Sequence, residues 1–172
     1  MSAIPTAYLE IVTPLIATAR EMMEDGQTLV PFAFIGNLTR RETVPVTLET
    51  DTDEAKDTAA ALIREFAAQQ EADFVFVLME AWSLPPERFD ELDEILERYG
   101  SIGASPYRVD IISFSLETRH GIWVAQVPIT PLEPPSEGRT FAEPRFQHFT
   151  GAEGRFAALL PQKDDDPPQT LH

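Results

Sequence analysis

Hydrophobic positions along the chain follow two rhythms. Between residues 6 and 25, Tyr8, Val12, Leu15, Ile16, Ala19 and Met23 recur at helical spacing and predict one buried helical face. Gly26 supplies a C-terminal stop, and Thr13-Pro14 places a kink or a helix start inside that run. The rhythm then changes to strands at 30–38 and 44–49, joined through Asn37-Leu38-Thr39-Arg40-Arg41. In the second strand, Val44, Val46 and Leu48 alternate with Thr43, Pro45, Thr47 and Glu49. Pro45 has no N–H to give a ladder, so that strand is expected at a sheet edge.

Asp51-Thr52-Asp53-Glu54 carries cap residues and first-turn acids, which predict a second helix with Ala59, Leu62, Ile63, Phe66 and Ala67 inward. Residues 74–81 form an apolar run without alternation, as a central strand covered on both faces requires. Pro85-Pro86 opens a third helix, expected to bury Phe89, Leu92, Leu96 and Tyr99 and to stop at Gly100. Strands at 109–118 and 122–129 follow. With His120-Gly121 as the turn, Phe114 opposes Val127 and Leu116 opposes Ala125, while Ser113, Ser115 and Glu117 fall on the other, polar face. A last hairpin is expected from 145–150 and 155–160, around Gly151 to Gly154.

The order α-β-β-α-β-α-β-β implies one α/β or α+β domain: a single mixed sheet with helices packed on it. Over residues 6–129 this order resembles the cytidine-deaminase-like arrangement. That resemblance implies a fold without its chemistry. The second helix opens Thr52-Asp53-Glu54-Ala55-Lys56 and the third Leu84-Pro85-Pro86-Glu87-Arg88, where such enzymes place zinc ligands and a catalytic Glu.

Eight of the fifteen prolines lie at or after Pro128, so the core is expected to span 1–130. Residues 131–160 read as an extended arm packed on its own or a neighbouring core, because Phe141, Phe146, Phe149, Phe156, Leu159 and Leu160 need cover. Residues 161–172, with Asp164, Asp165 and Asp166 among prolines, read as a flexible acidic tail.

Composition narrows the function classes. At 172 residues, 43% of them apolar, the chain supports one hydrophobic core. Cysteine is absent, which excludes disulfides, thiolate nucleophiles and cysteine-ligated metals. The net charge of −16 argues against direct nucleic-acid binding and against anionic membranes. With no apolar run of about 18 residues and no basic leader, a cytoplasmic protein is expected.

Motifs are scarce. His120, His148 and His172 lack partners at metal-ligand spacing, so no metal and no cofactor are implied. The glycine- and serine-containing stretch 100–106 lacks the lysine of a phosphate loop and reads as a connection. Two features remain. Glu80 and Trp82 end the buried strand, and Arg108 and Asp110 begin the next one on the side of Ile112 and Phe114 by alternation, as either a site at strand ends or a salt-bridged rim. The third helix carries Glu87, Asp90, Glu91, Asp93, Glu94 and Glu97 against Arg88 and Arg98, as an interaction face or a solvated one. Met79-Glu80-Ala81-Trp82, Ser105-Pro106-Tyr107-Arg108 and Glu117-Thr118-x-x-Gly121 resemble a group of small uncharacterised bacterial and phage-borne proteins. That resemblance spans 30–130 and brings no activity with it.

Three functions are compatible with these residues. The leading one is a non-enzymatic interaction domain that binds a protein partner or itself as a homodimer. A small-molecule binder or enzyme would use Glu80, Trp82, Arg108 and Asp110. An acidic mimic would inhibit a nucleic-acid-binding protein.

Overall fold

Five consecutive buried side chains, Phe74 to Leu78, make one strand apolar on both faces, and the fold is built to cover it twice. The computed structural model describes residues 3–150, 159 and 160. In chain order they form α1 (Thr6–Glu24), β1 (Phe32–Asn37), β2 (Glu42–Thr47), α2 (Asp53–Gln69) and β3 (Phe74–Ser83). A 3-10 turn (Pro86–Glu91), α3 (Leu92–Tyr99), β4 (Val109–Thr118), β5 (Gly121–Pro131), β6 (Arg139–Phe141) and β7 (Gln147–Phe149) complete them.

The sheet order is β2-β1-β3-β4-β5-β6, with β7 also paired to β5. The class is α+β. Every ladder among the described residues is antiparallel, where the sequence suggested a mixed sheet. The reason is topological. β2 and β3 run the same way and are joined by α2, but β1 lies between them, so no strand touches a parallel neighbour.

On one face, α1 lays Tyr8, Val12, Ile16, Ala19 and Met23 over Phe76, Leu78, Ile112, Phe114 and Trp123. Pro14 sits within α1, which continues through it to Glu24, and Gly26 follows at φ +82°. On the other face, α2 presents Ala59, Ala60, Ile63 and Ala67 to Ala33, Ile35, Val75 and Val77, small side chains that let helix and sheet approach closely. Thr52 caps α2 by accepting from the Ala55 N–H at 3.0 Å, with Asp53 and Glu54 in the first turn. Pro45 lies on the edge strand β2. The Leu48 N–H donates to the Pro31 carbonyl, so by alternation residue 45 turns its backbone nitrogen outward, where nothing is lost.

Two expectations are corrected. The hairpin register is shifted by two: Phe114 opposes Ala125 and Ile112 opposes Val127, with Arg119-His120 as the turn. A two-residue slip leaves every side chain on its original face, so alternation cannot detect it. The turn decides. The Thr118 hydroxyl accepts from the His120 N–H at 2.9 Å, and Gly121 takes φ +120° as the first paired residue. Second, Phe76, Leu78, Phe114 and Val127 are core, but Phe66 is half-buried and Leu62, Leu92 and Leu96 are exposed. α2 rolls so that Ala60, not Leu62, joins Ile63 against the sheet. In α3 only Ile95 is buried. β7 pairs with β5, and residues 151–158 of the expected last hairpin lie outside the described residues.

The described part of the arm lies on the core of its own chain. Phe141 is buried 5.6 Å from the Phe114 ring centroid, under the Arg20 guanidinium. His148 stacks on Trp123 at 4.3 Å and donates from Nε2 to the His120 carbonyl. On the opposite face Leu159 is buried with α2. There the buried Glu117 carboxylate accepts from two successive amides, Leu159 N–H at 3.0 Å and Leu160 N–H at 2.6 Å.

Two stability predictions follow from this packing. Phe114→Ala should cost about 3–5 kcal/mol, while Leu92→Ala should stay within about 0.5 kcal/mol, both read by urea denaturation. Glu117→Ala should cost about 2–3 kcal/mol, and the double variant with Leu159→Ala should cost less than the sum of the singles. Strict additivity would show that the two residues do not hold the same segment.

Candidate functional site

Cover runs out along β3 where its sequence turns polar. Residues 74–78 are buried, and from Met79 to Ser83 the side chains are half-buried or exposed. Glu80 is paired across the ladder with Ile112, and Trp82 with Asp110, so all four project from the α1 face near the end of the sheet. This agrees with the alternation that placed Asp110 beside Ile112 and Phe114.

The candidate residues divide into two sets. The Glu80 carboxylate accepts from Arg139 Nη1 at 2.6 Å, with both side chains half-buried. Arg139 belongs to β6, where it opposes Pro131. Its pKa is raised above the ordinary arginine range, first by the hydrogen bond to Glu80. Desolvation works against this, and the charges of Glu80 and Asp110 add to it. Trp82 and Arg108 form the other set. Arg108 places its Cζ 5.6 Å from the Trp82 ring and donates from Nη1 to the Gly103 carbonyl at 3.2 Å. Gly103 lies against the indole so closely that a Cβ there would collide with it.

Chemically this end of the sheet is a neutralised rim. Glu80 is satisfied by a guanidinium, and no hydroxyl, thiol or imidazole joins it among the described hydrogen bonds. Among the described residues no group of three His, Asp or Glu side chains is placed to hold a metal. Arg139, which completes the pair, went unnoticed in the sequence because it lies 59 residues from Glu80. Only its position after Gly138, at the start of the apolar part of the arm, hinted that it returns to the core.

The segment leaving this rim is different in character. Trp82, Phe89, Leu92 and Leu96 are 55%, 57%, 37% and 39% exposed. They make up half of the eight large apolar side chains exposed among the described residues. The same stretch carries six acids, and its cations are already engaged. Arg88 pairs with Glu91 at 3.2 Å and sits 3.7 Å over the Tyr107 ring. Arg98 lies over Tyr99, which meets Tyr107 edge-on at 6.3 Å. Those aromatic and cationic contacts hold the base of α3. No ion pair among the described residues reaches Glu87, Asp90, Asp93, Glu94 or Glu97.

No family model, curated protein or solved structure matches the chain. Among the described residues no helix is long and apolar enough to cross a membrane.

The rim and the Trp82 contact should respond differently to truncation. Arg139→Met strands the half-buried Glu80 and should cost about 1 kcal/mol, whereas Arg108→Met, at an exposed site, should cost well under that. Urea titrations of the two variants make the comparison, and a larger loss for Arg108→Met would reverse the assignment.

Proposed function

We propose that the chain is a non-enzymatic protein-interaction domain whose contact surface is the segment from Trp82 through α3. One observation carries this reading: four of the eight large apolar side chains exposed among the described residues fall within residues 82–96, across the end of β3, the 3-10 turn and α3, which buries only Ile95. A monomeric surface scatters such residues singly, and their concentration in one short stretch of chain is what a docking surface requires. The polar rim at Glu80 and Asp110 supports the same reading from the other side. Its carboxylate is engaged in an ion pair that ties β6 to β3, which is a structural use of the charge.

Photocrosslinking in the native host tests this. A crosslinking amino acid at position 89 should give a discrete protein adduct, and the same group at position 9, also exposed but on α1, should not. No adduct at 89, or the same adducts at both positions, would overturn the proposal.

A further inference from the structure

α3 leaves an apolar row uncovered, and its neighbours on the helix say what would cover it. Successive residues turn by about 100°, so from the inward-facing Ile95 the exposed Leu92 and Leu96 lie about 60° and 100° round the axis. Asp93 and Glu97 come next, at about 160° and 200°, as a second row one step further round. Both rows have the four-residue pitch of a helix. Asp93 and Glu97 are also like charges one turn apart, which destabilises α3 on its own and is relieved by a cation placed between them. Arg88 and Arg98 cannot supply it, since both are parked on tyrosine rings.

We infer that this face receives a basic amphipathic helix of another protein. The helix would seat leucine-like side chains on Leu92 and Leu96 and set its Lys or Arg residues against Asp93 and Glu97. The inference rests on the interaction reading above and names its partner. Charge complementarity selects the occupant. A second copy of this chain would bring another −16 charge and the same acidic row to the contact. The chain's own C-terminal stretch offers Asp164, Asp165 and Asp166, again of the wrong sign. A helical partner presents an apolar row beside a basic one and meets both rows at once, whereas an extended strand turns alternate side chains to opposite faces and can meet only one.

The test uses the full chain and three short synthetic peptides read by fluorescence anisotropy. One has a leucine stripe flanked by lysines, one has the same composition scrambled, and one has the stripe with glutamate in place of lysine. The lysine stripe should bind about tenfold tighter than the scrambled peptide, and the difference should persist at physiological salt, where bulk charge is screened. Leu92→Ser with Leu96→Ser should abolish that difference. Asp93→Lys with Glu97→Lys should lose the lysine peptide and gain the glutamate one. Circular dichroism confirms that these variants, all at exposed positions, remain folded. Equal binding of striped and scrambled peptides, or unchanged binding by the variants, would overturn the inference. So would light scattering that shows a dimer broken by Leu92→Ser with Leu96→Ser, because the occupant would then be a second copy. If the peptides fail while the adduct at position 89 persists, only the basic helix falls. If both fail, the interaction reading falls with it.

Discussion

A strand with no polar face has to be covered twice, and β3 sets that requirement for the whole molecule. Phe76 stacks on Phe114 at 6.0 Å and lies 6.5 Å from Phe34, so the α1 side is a thick aromatic layer beneath a helix of medium-sized side chains. The α2 side is thin, with alanines against valines. The strand sits between β1 and β4, and the two helices flank it from opposite faces. Where the helices stop covering it, the sequence becomes Glu80, Ala81, Trp82, Ser83, and the rim begins there.

The acid excess of this chain is put to two uses. Some carboxylates hold the chain itself, Glu80 and Glu117 among them: Glu80 on the α1 face takes Arg139 at the start of the arm, and Glu117 on the α2 face takes the amides of Leu159 and Leu160. A buried carboxylate without donors would be costly, and two backbone N–H groups offset that cost while fixing where the arm lies. The acids of α3 do none of this. Asp93, Glu94 and Glu97 are exposed beside uncovered leucines, and no ion pair among the described residues reaches them.

How much of this was legible in the sequence depends on what each residue's signal refers to. Local signals were sound: Thr52 as a cap, Pro45 at an edge, Gly100 as a stop and the apolar run of β3 all refer to the residue's own backbone or both its faces. Alternation placed Asp110, Ile112 and Phe114 on one face but could not see a two-residue slip, which the Thr118 hydroxyl and Gly121 decided. Glu117 fell on the polar side of its hairpin, where solvent is the default neighbour, and its partners lie 42 and 43 residues away. Arg139 was hidden in the same way. Distant partners of polar residues leave no periodic mark.

The misreading of α3 is of another kind. Phe89, Leu92 and Leu96 do form an apolar stripe, and amphipathic spacing states that a stripe needs cover. It does not state which molecule provides it. The sheet could not, because its α1 face is already filled under one helix and its α2 face under another. α3 follows the end of β3, held at its base by tyrosines and arginines rather than by a buried face. α3 is thus tethered by its polar and aromatic flank, with its leucines turned outward beside acids that no ion pair reaches among the described residues.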